Sequence, residues 1–319
     1  MENINNLAKE FAKTINRYSA ITVVAHVNPD PDTIGTALGV YAWLRENGHR
    51  AEVVCQSSDI AIYLDFLPHF SKIKNHIDYQ DSLVITCDCG SIDRTGFDLQ
   101  GRDIINIDHH PSNTNFGIVN IVDPKAVSSS QVAFELLSQV GKISKQSATA
   151  FYTALVSDSK NFTTSSVNAE SFQLASRLIE LGVDISEVSY NLTQRKSLSW
   201  LRILSVAIDS LELISNARVA IMTIYADDMK RAGAKMSDLD GVVEYARSLA
   251  TVQIAILILQ RDKDIKVSLR SKGADVGEVA GVFDGGGHRV AAGFEISYDS
   301  VEKLKESIIK QIQDKGLLK

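Results

Sequence analysis

Along the first 200 residues the apolar positions follow two alternating periods. Runs at 21–26, 51–55, 83–88 and 104–107 are short and almost wholly apolar, the signature of strands buried on both faces. Elsewhere apolar residues recur every three or four positions. Ile4, Leu7, Ala8, Phe11 and Ile15 mark a helix over 4–18, and the same spacing predicts helices at 33–47, 129–140, 145–157, 168–181 and 186–194. Strands alternating with helices predict an α/β fold: a doubly wound, mainly parallel sheet with helices on both faces. Ligands of such a sheet gather at the carboxyl ends of its strands.

A helical stretch at 196–215 reads as a linker, after which the pattern restarts. Strands at 218–225, 252–260 and 264–270, one more near Phe294, and helices at 237–250, 275–283 and 300–314 predict a smaller C-terminal α/β domain. The expected organisation is a catalytic domain at 1–195, the helical linker, and a substrate-binding domain at 216–319 across a cleft.

Composition narrows the functional class. The chain has 319 residues, of which 45% are hydrophobic and 23% charged, enough for two cored domains. Net charge is −6 without a run of Lys or Arg, which argues against a grip on duplex nucleic acid. No apolar run approaches the roughly 18 residues of a membrane helix, and Met1 to Lys13 lacks an apolar signal core. A cytoplasmic protein without membrane association is the expectation. Cys55, Cys87 and Cys89 are too few and too oddly spaced for a disulfide framework or a zinc site. Cys87 and Cys89 flank Asp88 and read as small core residues.

The polar groups that interrupt the pattern carry the chemistry. His26, Asp30 and Asp32 follow the first strand within seven residues, Asp88 ends the third, and Asp108, His109 and His110 end the fourth. Asp158 closes an apolar helical stretch in the same way. Taken singly each has an ordinary reading: Asp32 as a helix N-cap, Asp88 and Asp158 as turn residues, His109 or His110 as a surface histidine. Together they do not, because carboxylates brought to one sheet edge repel unless cations lie between them. Four aspartates and two histidines drawn from this set suit manganese, with magnesium, cobalt or zinc open. Two ions roughly 4 Å apart, sharing one carboxylate, would use all six groups and could hold a hydroxide as an in-line nucleophile toward phosphorus. Phosphoester hydrolysis is the predicted reaction class.

The ordered set of motifs resembles the DHH phosphoesterase superfamily, in the branch with a DHH-associated C-terminal domain, and within it the bacterial nanoRNases. The matching residues are His26-Val-Asn-Pro-Asp-Pro-Asp-Thr-Ile-Gly, Asp88-Cys-Gly with Arg94 and Gly96, Asp108-His109-His110 with Asn113 and Phe116-Gly117, Asp158, Ser268-Leu-Arg-Ser, and Gly285-Gly-Gly-His-Arg-Val-Ala-Ala-Gly-Phe. The resemblance implies a first metal on His26, Asp30 and Asp88 and a second on Asp32, Asp88, His109 and Asp158. Asp108 would orient a histidine, and His110 would face the phosphate. Gly286, Gly287, His288, Arg289, Arg270 and Lys160 would contact substrate. Lys160 stands where the family usually has Gly, and Pro31 replaces a small residue; neither removes a ligand.

The resemblance implies a manganese-dependent hydrolase of single-stranded RNA two to five nucleotides long, releasing 5′-mononucleotides, and of 3′-phosphoadenosine-5′-phosphate. Three alternatives stay open: a phosphodiesterase for cyclic dinucleotides or linear diadenylate, a pyrophosphatase or exopolyphosphatase, and a non-catalytic nucleotide or RNA sensor. The sequence leaves homodimerisation open.

Overall fold

The computed structural model describes residues 4–297 and 300–318. The chain divides into two compact units, residues 1–195 and 196–319.

In the first unit six strands, β1 (Ile21–Ala25), β2 (Ala51–Cys55), β3 (Ile73–Lys74), β4 (Leu83–Cys87), β5 (Ile104–Asp108) and β6 (Val119–Val122), pair in the order β3-β2-β1-β4-β5-β6, all parallel. Strands β3 and β6 are absent from the sequence reading because they are two and four residues long, with Lys74 and Asn120 breaking any apolar run. The order reverses between β1 and β4. At such a switch point the connections diverge to opposite sides and leave a crevice above the strand ends. His26 follows β1 and Asp88 follows β4.

The helices of this unit are α1 (Ile4–Ile15), α2 (Pro31–Glu46), α3 (Ser129–Val140), α4 (Lys145–Asp158), α5 (Ala169–Glu180) and α6 (Ile185–Thr193). One face of the sheet, through Ile21, Val23, Val53, Ile85 and Ile105, joins Phe11, Leu38, Trp43, Phe134 and Phe151 in a single core. The other face holds a smaller cluster, Val24, Val54, Val84 and Ile104. Its partners, Ile77, Phe97, Leu99 and Phe116, lie in loops, where the pattern predicts helices.

Helices α2 and α4 pack closely because α2 carries Gly35 and Gly39. A Cβ at Gly35 would lie 2.6 Å from the Ala150 carbonyl oxygen, and one at Gly39 would lie 2.3 Å from the Phe151 ring. The pairing is antiparallel, with early α2 against late α4, and it brings Asp158 back beside Asp32.

The second unit begins with α7 (Leu198–Asp209), followed by β7 (Glu212–Ile214), β8 (Val219–Tyr225), α8 (Ala226–Ala232), α9 (Val242–Ser248), β9 (Ile254–Gln260), β10 (Ile265–Ser271), α10 (Gly277–Gly281), β11 (Gly286–His288), β12 (Ala291–Ile296) and α11 (Val301–Asp314). The expected linker, 196–215, thus holds α7 and β7. Trp200, Ile203, Leu204 and Ala207 of α7 bury against β8, α8 and α9, so the stretch belongs to this unit. The expected helix at 237–250 is a 3-10 turn, Met236–Leu239, and then α9, interrupted at Gly241, whose φ is +77°. The sheet order is β11-β12-β10-β9-β8-β7, antiparallel except for β8 beside β9. One face packs α10 and α11, the other α7, α8 and α9. Among the described residues, no helix is long and apolar enough to cross a membrane.

Candidate metal centre

Each strand end delivers its side chain for a local reason. Asp30, rather than Asp32, is the N-cap of α2: its Oδ1 accepts from the Thr33 amide at 2.9 Å, and Pro31 takes the first helical position. Asp32 in the first turn is therefore available for tertiary bonds. Its Oδ2 accepts from the Ser129 amide at 2.8 Å and its Oδ1 from the Ser130 amide at 3.3 Å. These amides begin α3, where the helix dipole favours a carboxylate.

Asp88 has φ of +57°, a left-handed conformation rare outside glycine. The strand ends one residue earlier, and the carboxylate reaches Thr33 of α2 and Ser129 of α3. Such strain persists where surrounding bonds over-determine it. Asp88 Oδ1 accepts from Ser129 Oγ at 2.9 Å, Oδ2 from Thr33 Oγ1 at 2.7 Å, and its amide donates to the Ile107 carbonyl at 2.9 Å.

Three ligand sets converge on this residue: His26, Asp30 and Asp88; Asp32, Asp88 and His109; and Asp88, Asp108 and His110. Within each set the candidate ligand atoms lie within 4.8 Å of one another. His109 Nε2 is 3.8 Å from Asp32 Oδ2, 3.7 Å from Asp88 Oδ1 and 3.6 Å from Asp158 Oδ2. Both imidazoles are oriented by backbone carbonyls. His26 Nδ1 donates to the Val27 carbonyl at 2.8 Å and His109 Nδ1 to that of Ala126 at 3.2 Å. This fixes the tautomer that turns each Nε2 toward the carboxylates, the arrangement usual behind metal-ligating histidines. Asp108, fully buried, pairs with His110 Nδ1 at 2.7 Å and accepts from Asn113 Nδ2.

The electrostatics show a cluster short of positive charge. Burial, and then Asp88 and Asp158, push the Asp32 carboxyl well above the usual range, against the pull of His109. Asp158 rises to about 7, first through burial and then through Asp30 and Asp88, although a third of its side chain stays exposed. Burial opposes charging of His109, but Asp32, Asp88 and Asp158 outweigh it and hold the imidazole at about 9. Burial likewise works against ionised Asp88, yet His26, His109 and His110 keep it well below the carboxylate range. The protein on its own meets the crowding by placing protons where cations fit. The donor set is hard oxygen plus imidazole, which suits divalent ions of the manganese, magnesium or zinc kind.

The cysteines stand outside the ligand sets. All three are free and buried, Cys89 Sγ donates to the Ser91 carbonyl at 3.0 Å, and burial first of all pushes the Cys89 thiol up to about 12 and that of Cys87 well above its ordinary value.

Thr33 and Ser129 are the residues that sequence reasoning misses. The triple serine at 128–130 is legible as a helix start, but not which hydroxyl turns inward. Lys160 has φ of +48°, and Asn161 and Phe162 are also left-handed. That backbone is one glycine adopts without strain and a lysine does not.

In the second unit Arg270 is half-buried beside Glu244, with Nε 3.4 Å from Oε1. Gly286, Gly287, His288 and Arg289 are exposed on the β11–β12 hairpin. The glycine run has a packing cause as well as a functional reading: a Cβ at Gly285 would lie 2.4 Å from the Gly293 carbonyl oxygen, and one at Gly287 2.5 Å from that of Ala291. Gly286 alone faces open space.

Residues 20–155 match the model of the DHH family, N-terminal domain, and residues 216–314 that of the DHHA1 domain. Over 302 residues the chain is 26% identical to the bifunctional oligoribonuclease and PAP phosphatase NrnA of Bacillus subtilis, covering 92% of this chain and 95% of that one. A probable protein of the same name from Streptococcus mutans is 28% identical over 319 residues, covering 98% and 99%. Among solved structures, an exopolyphosphatase-related protein from Bacteroides fragilis superposes with a TM-score of 0.85 at 25% identity, over 96% of both chains. The chain therefore carries a DHH-family N-terminal domain and a DHHA1 domain, and is a metal-dependent hydrolase acting on phosphoester bonds.

Proposed function

We propose that the protein hydrolyses single-stranded oligoribonucleotides of two to five residues to 5′-mononucleotides, and 3′-phosphoadenosine-5′-phosphate to AMP, with two manganese ions. The observation that carries this reading is the convergence of two ligand sets on Asp88 at the switch point of the sheet. Relatives named oligoribonuclease and PAP phosphatase, aligned over nearly the whole chain, support the substrate class.

His26, Asp30 and Asp88 would hold one cation, and Asp32, Asp88, His109 and Asp158 the other. When bound, the ions supply Lewis-acid polarisation of the phosphoryl group and an acidified water. The rest is the work of the chain's own residues. Asp108 steadies the His110 ring through Nδ1, leaving Nε2 to donate to a phosphoryl oxygen or to protonate the leaving oxygen. Burial works against a charged His110, but the Asp108 hydrogen bond and the Asp88 charge raise its pKa above the ordinary imidazole value, toward the form that donates from Nε2. Lys160, Arg270, Gly286, Gly287, His288 and Arg289 are the proposed substrate contacts, Arg270 through its planar fork. A net charge of −6 fits short anions held by a few groups better than a long duplex.

The test is mononucleotide release from a 5′-phosphorylated diribonucleotide by the manganese-loaded protein. Linear and cyclic diadenylate, 3′-phosphoadenosine-5′-phosphate and pyrophosphate serve as competitors, and Asp88→Asn as the control. Rapid cleavage that vanishes in the variant supports the reading. Preferential turnover of pyrophosphate or cyclic diadenylate would replace the substrate class, and no turnover of any would favour a sensor.

A further inference from the structure

Thr33 lies at the centre of the first ligand set. Its Oγ1 is 2.7 Å from His26 Nε2, 2.7 Å from Asp88 Oδ2 and 3.0 Å from Asp30 Oδ1, and the residue is fully buried. A hydroxyl has one proton to donate, and all three neighbours are acceptors once His26 Nδ1 donates to Val27. Two of them have other donors: Asp30 Oδ1 takes the Thr33 amide, and the Arg94 guanidinium reaches to 3.2 Å from His26 Nε2. Asp88 Oδ2 takes the Thr33 proton at 2.7 Å, with His26 Nε2 farther off at 3.6 Å, as Asp88 Oδ1 takes that of Ser129 at 2.9 Å. One hydroxyl thus binds each oxygen of the shared carboxylate.

We infer that the Thr33 hydroxyl is a place-holder for the first cation: it holds Asp88 Oδ2 against His26 and Asp30 while the ion is absent and yields that oxygen when the ion enters. Thr33 is a positioning residue in this account. The inference rests on the two-ion reading above, and it adds a consequence that reading lacks. Because the proton and the cation serve the same oxygen, removing the hydroxyl harms the metal-free protein more than the loaded one, so the exchange shifts toward the ion.

Thr33→Val keeps the shape and deletes the proton. Thermal melts of the full chain in chelator and in manganese, with manganese affinity by titration calorimetry, read the effect without any substrate. The metal-free melting temperature is expected to fall by about 5 °C, the manganese-induced rise to grow by a similar amount, and manganese to bind about tenfold tighter. Thr33→Ser, which restores the hydroxyl, should return all three to wild-type values and serves also if the valine variant folds only with metal. An unchanged manganese-induced rise, or weaker manganese binding in Thr33→Val, would overturn the inference. Absence of any manganese response in the wild-type protein would instead overturn the two-ion reading.

Discussion

The two halves of the cluster meet at Asp88 but manage their charge differently. In the first, His26 and Asp88 are buried while Asp30 is exposed and doubles as a helix cap, and a hydroxyl lies between the three. In the second, Asp32 and His109 are buried with Asp158 beside them, two helix amides and the Thr36 hydroxyl bind Asp32, and burial together with the neighbouring carboxylates raises the pKa of both Asp32 and Asp158. The first half keeps one of its carboxylates at the surface; the second crowds buried carboxylates whose raised pKa values mark charge that protons or cations would answer. Burial therefore decides which half depends more on metal.

The sharpest way to break this comparison is to remove one carboxylate from each half. Asp32→Asn should lower phosphodiester hydrolysis by about a thousandfold, as expected for loss of a metal ligand with no solvent to replace it. Asp30→Asn, where water can substitute, should cost clearly less. Equal losses in kcat/KM would erase the distinction. Asp108→Asn tests the third set: His110 loses the charge of its partner, and turnover should drop by about 30-fold while manganese binding stays intact.

The pH dependence follows from the protons held in the second half. A cation must displace the proton of His109, held at about 9, and below about 7 that of Asp158 as well. Manganese affinity should therefore tighten by about tenfold per unit as pH rises from 7 to 9, and more steeply below 7. Calorimetry in buffers of different ionisation enthalpy would count the released protons, and a flat profile would contradict the account. The smallest effect is at Lys160. Lys160→Gly relieves a left-handed backbone but adds freedom to the unfolded chain, a net gain of about 0.5 kcal/mol in denaturant unfolding. The same variant should raise KM severalfold, since it deletes a proposed phosphate contact.

Much of this was legible in the residues. The apolar runs marked four of the six parallel strands, and the polar residues that ended them marked the sheet edge where the ligands meet. Asp158 was legible only as a polar end to an apolar helix; its approach to Asp32 depends on Gly35 and Gly39, whose effect lies in what a Cβ would strike on α4. Thr33 and Ser129 were illegible because an inward hydroxyl looks like any helix-start residue. Loops rather than helices on the second sheet face escape periodicity, since Ile77, Phe97 and Phe116 are isolated in sequence. The helical stretch after 195 was visible, but its packing into the second unit depends on partners far along the chain.

The most direct test of the shared carboxylate is a count of manganese ions bound per chain, by electron paramagnetic resonance titration, for the wild-type protein and Asp88→Asn. The account predicts two ions for the wild type and at most one, weakly held, for the variant. A single ion in the wild-type protein, or two undiminished in Asp88→Asn, would contradict it.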